Sequence, residues 1–310
     1  MKKLLLTTTV LAMGMGVSGA YAMTGAEISL SGSSKWSYNA VDDGENTGGG
    51  NDSSFSISNS VTVASSNTSD SGLTYGTSLT LDTSGGPVND DGMKLFVKGP
   101  FGEIRSGTGT AGDSYGIDAD GFVEGEKSTV GGSSVGKGSD SSISYFTPSI
   151  SGIEAAISYT DAGDESKADS SEFGLKFTTA IGVGDLTFQF AQANTSDNGT
   201  DANSGGKDTS FGVNLALGDL TLRAASNKSE PDGEDEKDVI DFGLSYKLNS
   251  DVVVGLYNRD GEEGDTELAE TGISMTYTIA PGLSTNVAYT TSEKGDDDSS
   301  ATTAYIKVAF

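Results

Sequence analysis

The chain has no cysteine and no histidine among its 310 residues. Without cysteine no disulfide can brace the fold. Without histidine the commonest general base and metal ligand is missing. With both gone, no Ser/His/Asp, Cys/His or dedicated metal constellation can be assembled, and an enzyme is not expected. Basic residues are scarce, 18 Lys and Arg against 45 Asp and Glu, giving a formal charge of −27. Such a chain repels nucleic acid and favours cations or a salt-rich milieu. Proline occurs only 5 times and tryptophan once. After residue 22 no stretch approaches the ~20 apolar residues that a membrane helix needs. A helical span is thereby excluded, whereas strands with one polar face would leave the same low hydropathy.

What is present begins with an export pattern. Lys2 and Lys3 precede an apolar stretch from Leu4 to Val17, and Ala20-Tyr21-Ala22 offers a small-x-small cleavage site. We read residues 1–22 as a signal peptide and residues 23–310 as the mature domain. The first 22 residues carry +2 of the −27, so the remainder carries −29. Glycine, at 44 residues, has no Gly-x-y period. It clusters with Asn, Asp and Ser between apolar alternations, as turn residues do between many strands.

The alternation has a period of two, the mark of strands with one apolar and one wet face. Early blocks are Ile28, Leu30, Trp36, Tyr38 and then Phe55, Ile57, Val61, Val63. Later ones include Ile153, Ala155, Ile157, Tyr159, and the chain stops on Ala304, Ile306, Val308, Phe310. The blocks number about sixteen, an even count as single-chain membrane barrels require. Connections alternate in length. Gly99-Pro100-Phe101-Gly102, Gly218-Asp219, Asn249-Ser250-Asp251 and Ala280-Pro281-Gly282 are tight turns. Between them lie longer acidic stretches: Val41 to Ser53, Asp161 to Ser170, Asn194 to Lys207, Asn227 to Lys237, Arg259 to Glu267 and Thr291 to Ser299. The expected fold is all-β, a transmembrane antiparallel up-and-down β-barrel with short periplasmic turns and long extracellular loops.

Charge decides which face is wet. Lys35, Lys94, Lys98, Glu154, Lys176, Arg223, Asp241, Lys247 and Lys307 all fall opposite the apolar parity of their blocks. A lumen would solvate them, whereas a basic residue facing lipid at the midplane costs ~2–4 kcal/mol. Tyr38, Phe55, Tyr159, Tyr246, Tyr289 and Phe310, near block ends, would form interfacial girdles. A soluble barrel with apolar side chains inside is the competing arrangement, but about sixteen strands enclose more space than side chains can fill.

Three stretches then resemble the general diffusion porins of Gram-negative bacteria, specifically the alphaproteobacterial, Rhodobacter-like kind. They are Ser71-Gly72-Leu73-Thr74-Tyr75-Gly76-Thr77-Ser78-Leu79, Gly102-Glu103-Ile104-Arg105-Ser106-Gly107 before a long Gly-Asp loop, and Tyr145-Phe146-Thr147-Pro148-Ser149-Ile150-Ser151-Gly152-Ile153. The resemblance implies a homotrimer in outer-membrane lipid and lipopolysaccharide, whose third long loop folds into the pore. That loop would be residues 108–139, carrying Asp113, Asp118, Asp120, Glu124 and Glu126. Family practice would set these acids against basic wall residues, here Lys35, Lys94, Lys98 and Arg105. Where the family clusters arginines, this chain offers mainly lysines. Plain solvated loop charge is the other reading of the acids.

Two glycine patterns imitate nucleotide sites. Gly107-Thr108-Gly109-Thr110-Ala111-Gly112 lacks a convincing helix after it, and Gly131 to Lys137 is followed by Gly138 where a magnesium-binding hydroxyl belongs. No cofactor is expected beyond loosely bound calcium at acidic loops such as Asp42-Asp43, Glu234-Asp235-Glu236 and Asp296-Asp297-Asp298. The functional expectation is passive, cation-preferring diffusion of small hydrophilic solutes and ions. A non-conducting surface or adhesive barrel, whose acidic loops bind calcium or a partner, is the alternative. A substrate-specific channel would want an aromatic track, and the inward aromatics Phe96, Phe146, Tyr257 and Tyr305 are scattered.

Overall fold

The computed structural model describes residues 27–42, 52–83, 89–123, 135–136, 141–161, 163, 168–196 and 205–310. Sixteen strands close into one barrel. The first half comprises β1 (Glu27–Asp42), β2 (Asp52–Thr68), β3 (Thr74–Thr83), β4 (Asn89–Gly99), β5 (Gly102–Gly107), β6 (Ser142–Phe146), β7 (Ile153–Thr160) and β8 (Ser170–Ala180). The second half is β9 (Asp185–Thr195), β10 (Gly206–Leu217), β11 (Leu220–Pro231), β12 (Lys237–Lys247), β13 (Val252–Glu263), β14 (Thr266–Ala280), β15 (Leu283–Lys294) and β16 (Asp297–Ala309). Every strand pairs antiparallel with its sequence neighbours, and β1 pairs with β16 to close the ring. Each apolar block of the sequence falls on one strand. The proposed signal peptide, residues 1–22, lies outside the described residues.

Burial runs opposite to that of a soluble protein. Ile28, Phe55, Leu95, Ile157, Phe242 and Ile273 are exposed on the outer face. Small or polar inward residues such as Ser144, Ser158, Ala191, Ser210 and Thr290 are buried. Because strands alternate faces, one parity meets lipid and the other the lumen. Aromatics gather on the outer face, where Trp36 and Phe55 stack at 5.3 Å and Tyr38 lies 5.1 Å from Phe55. At the seam, Phe310 donates its N–H to the Gly32 carbonyl and accepts from the Gly32 N–H, both at 3.0 Å. A Cβ at position 32 would stand 2.5 Å from the Ser60 carbonyl and 2.9 Å from the Phe310 ring.

The four tight turns fall at strand ends as expected, between β4 and β5, β10 and β11, β12 and β13, and β14 and β15. Several acidic connections are much shorter than the sequence suggested. β13 and β14 are joined by Gly264-Asp265 alone, β15 and β16 by Gly295-Asp296, and β11 and β12 by Asp232 to Glu236. Pairs such as Glu262 with Glu267 and Glu293 with Asp298 are in register inside those hairpins. Strands that rise above the bilayer face water on both sides. They lose the apolar alternation there while backbone pairing continues, so charged residues mask them as loops.

Candidate functional site

The third long connection leaves β5 at Gly107 and turns inward. Thr110 and Asp113 open a short helix, α1 (Ala111–Tyr115): the Thr110 N–H donates to Asp113 Oδ2 at 3.0 Å, and its hydroxyl to the same oxygen at 3.2 Å. This is a reciprocal N-terminal cap of the Ser/Thr-x-x-acid kind. A single 3-10 turn follows at Asp120–Phe122.

Backbone groups that lie off the sheet still need partners, and the barrel wall supplies them through side chains. Ser158 accepts the Ala111 N–H at 2.7 Å, and Glu172 Oε2 accepts the Gly112 N–H at 2.6 Å. Ser210 accepts from the Ile117 N–H and donates to the Ile117 carbonyl, both at 3.0 Å. Arg223 donates to the Asp118 carbonyl at 2.8 Å, and Ser274 to the Phe122 carbonyl at 3.3 Å. The loop is thereby fastened along the inner wall from β7 to β14.

The wall has been cut away to receive it. A Cβ at Gly174 would lie 2.3 Å from the Tyr115 ring, and one at Gly212 2.4 Å from Ile117 Cγ2. Gly243 would meet Phe122 Cδ2 at 2.6 Å, and Gly255 the Phe122 carbonyl at 1.8 Å. These inward glycines of β8, β10, β12 and β13 form a groove in which the loop rests. Beside them, Ala156, Ala191 and Ala193 pack with Ala111, Tyr115, Val135 and Phe146 in one buried cluster.

Charge fixes the 3-10 turn. Arg259 is fully buried and grips Asp241, which is equally buried, through Nε at 2.6 Å and Nη2 at 3.2 Å. Its Nη2 also lies 3.6 Å from Asp120 Oδ2. Asn227 donates to Asp241 Oδ2 at 3.3 Å, and Tyr257 donates its hydroxyl to Glu270. Burial lifts the Asp118 carboxyl to about 7, and the hydrogen bond and charge of Asp120 add to the rise. Between loop and wall a recess of about 520 Å³ is bordered by Gly112, Asp113, Asp118, Val135, Gln189 and Arg223.

The predicted residues distribute as follows. Asp113 is exposed while capping α1, Asp118 is partly buried, and Asp120 is turned toward Arg259. Glu124 and Glu126 lie outside the described residues. Lys35, Lys94 and Lys98 project inward from β1 and β4, away from the strands β7 to β14 that hold the described part of the loop. Lys35 sits 5.5 Å from the Tyr305 ring and Lys94 5.7 Å from that of Phe96. Arg105 takes a different position, at the start of the loop. It pairs with Glu103 at 2.8 Å, donates to the Gly109 carbonyl at 2.6 Å and covers the Phe146 ring at 4.3 Å.

Arg259, Asp241 and Glu172 were not foreseen as parts of the site. A signal for the first two existed. The turn Asn249-Ser250-Asp251 centres the β12–β13 hairpin on Ser250, so residues equidistant from it face each other. Asp241 and Arg259 are such a pair, nine places either side, and they do pair in register. Among the described residues no group of three or more His, Cys, Asp or Glu side chains could hold a metal ion.

A family model described as Gram-negative porin matches residues 7–297. No curated protein matches the chain. Among solved structures, a mutant porin of Rh. blastica superposes with TM-score 0.69 at 16% identity, covering 92% of this chain and 100% of that one. An anion-selective porin from Comamonas acidovorans gives TM-score 0.70 at 14% identity with the same coverage, 92% and 100%. A loop-deletion mutant of an outer membrane protein of Vibrio cholerae gives 0.68 at 13%, again covering 92% and 100%. At such identities the likeness is one of fold.

Proposed function

The chain belongs to the Gram-negative porin family and resides in the outer membrane, and from that premise we propose that it is a general diffusion channel with a preference for cations. The observation that carries this reading is the loop held inside the lumen, with Asp113 and Asp118 beside the recess it forms with the wall. A narrowing lined by carboxylates selects by size and by sign. The wall opposite contributes Lys35, Lys94 and Lys98, so charge of opposite sign would face across the narrowing. Glu124 and Glu126 would add to the acidic side, and Arg105 would hold the loop's start. The porin of Comamonas acidovorans is described as anion-selective. The fold therefore does not dictate sign, and the preference rests on this chain's own excess of 45 acidic over 18 basic residues.

Further parts of the reading are a cleaved signal at residues 1–22, a homotrimer, and calcium held loosely by the acidic outer loops. The test is reversal potential in a planar bilayer under a KCl gradient. Replacing Asp113, Asp118, Asp120, Glu124 and Glu126 by their amides should move the potential toward zero. An unchanged potential would overturn the assignment of selectivity to this loop.

A further inference from the structure

The lumen's charges are sorted along its axis as well as across it. Inward basic residues crowd the end that carries the short turns. Lys247 is the last residue of β12, Lys98 lies one place before the end of β4, and Lys307 two before the end of β16. Lys94 is four places above Lys98 on the same face, and Lys307 stands opposite Lys35 in the register. Two inward carboxylates at this end are held by other bases. Glu103 holds Arg105 at 2.8 Å and Glu154 holds Lys176 at 2.7 Å; the other carboxylates here, among the described residues, are Glu27 and Asp185 at the rim and Asp70, Asp219 and Asp251 in the turns.

The opposite end is acidic. Asp82 lies one place before the end of β3, Glu172 and Asp208 two places into β8 and β10, Glu263 ends β13 and Asp297 begins β16. Among the described residues the inward bases there are Lys237, Lys294 and Arg259; Lys294 is paired with Glu263 at 3.1 Å and Arg259 is held by Asp241. The loop's Asp113, Asp118 and Asp120 fall between the two ends. A water-filled tube thus has an acidic outer segment in series with a lysine-rich periplasmic segment.

We propose that this axial sorting makes the channel an ionic rectifier, passing more current when the extracellular side is positive. The proposal rests on the channel reading above. The acidic segment enriches cations and the lysine segment enriches anions. With the outside positive, cations enter through the acidic end and anions through the lysine end, so both accumulate at the narrowing and conductance rises. With the outside negative, both carriers are drawn away from the narrowing and it is depleted. The effect requires fixed charges to reach across the water in the pore. The Debye length is about 10 Å at 0.1 M salt and about 3 Å at 1 M, so rectification belongs to low salt.

Single-channel currents at equal positive and negative voltages in symmetric KCl test this. Because the chain has no cysteine, Asp265→Cys in the extracellular β13–β14 turn can be labelled from one side with a membrane-impermeant charged thiol reagent to report orientation. The wild type is expected to show a current ratio of about 1.5 to 2 at 0.1 M, largest with the extracellular side positive, and about 1 at 1 M, following the change in screening. The variant K247Q/K307Q, whose lysines lie at the periplasmic end and outside the narrowing, should still conduct, with its ratio at 0.1 M lowered toward 1. A symmetric wild-type current at 0.1 M overturns the rectifier and leaves the channel standing. So does a K247Q/K307Q variant that rectifies as strongly as the wild type, or a larger current with the outside negative. Folded, inserted protein that carries no current overturns the channel reading itself and the rectifier with it.

Discussion

Gly255→Ala should push the lumenal loop off its wall. The new Cβ would stand 1.8 Å from the Phe122 carbonyl oxygen and 3.1 Å from Ser274 Oγ. Ordinary contact begins near 3.4 Å, so the carbonyl must retreat by the difference between 3.4 and 1.8 Å, about 1.6 Å. Strand β13 cannot yield, because it is paired with β12 and β14 along its whole length. The loop has only the lumen to move into. That displacement breaks the Ser274 hydrogen bond to Phe122, 3.3 Å long at the outset, and draws Asp120 away from Arg259. Overpacking of this kind costs ~1–3 kcal/mol. Single-channel conductance should fall, further for Gly255→Val than for Gly255→Ala, and the loss of heat-modifiable gel mobility should shift to lower temperature. As a control, Gly218→Ala lies in a periplasmic turn where an added Cβ meets nothing within 4 Å. That change strains a positive φ but leaves the loop alone. Conductance unchanged in Gly255→Ala, or reduced equally in Gly218→Ala, would refute the idea that wall glycines set the width of the narrowing.

Three other outcomes follow from the site and the wall. Arg259→Gln strips the fully buried Asp241 of its bidentate partner and should destabilise the protein by ~3–5 kcal/mol, while the pair D241N/R259Q should recover part of that loss; additive effects in urea unfolding would show that the two residues are not coupled. Ile157→Lys on the lipid-facing surface should cost ~2–4 kcal/mol in bilayer folding titrations if the exposed apolar band is the membrane belt, and a neutral effect would remove β7 from that belt. Asp118, raised to about 7, gains a proton as pH falls from 8 to 6, so cation preference should weaken over that interval. The raised value also means that the folded state binds the proton more tightly than the unfolded chain, so stability should rise as pH falls through about 7. Asp118→Asn should abolish the selectivity step, which reversal potentials at the two pH values would check.

The barrel was legible because lipid imposes a strict rule: each strand must carry apolar residues at every second place wherever it crosses the bilayer. Blocks such as Ile153, Ala155, Ile157 and Tyr159 therefore located their strands. The rule lapses above the membrane, which is why the β13–β14 and β15–β16 hairpins looked like long acidic loops. Inward charge was legible from parity alone, as Lys35, Lys94 and Lys98 show. How the loop is held was not, because it depends on contacts between residues distant in sequence: Ser210 with Ile117, Glu172 with Gly112, Gly255 with Phe122. A glycine within a strand carries no mark in the sequence of which loop will lie against it. The register between Asp241 and Arg259 could have been counted from the turn between them, whereas the distance from Arg259 to Asp120 could not.

The closing seam has a kinetic meaning. Fifteen of the sixteen strand pairings join neighbours in the chain, and one, between β1 and β16, joins its ends. Lys35 and Lys307, partners in that seam, are 272 places apart. Bringing such distant strands together from an open chain would cost about 5 kcal/mol of loop-closure entropy by the (3/2)RT ln n rule, far more than any hairpin. Until it happens, both edge strands present unpaired N–H and C=O groups, which hydrocarbon does not tolerate and which invite pairing with other chains. Assembly that zips from hairpin to hairpin brings β1 and β16 side by side before they join and removes most of that penalty. The seam at Gly32 and Phe310 would then be the last contact to form, and the folding step most exposed to aggregation.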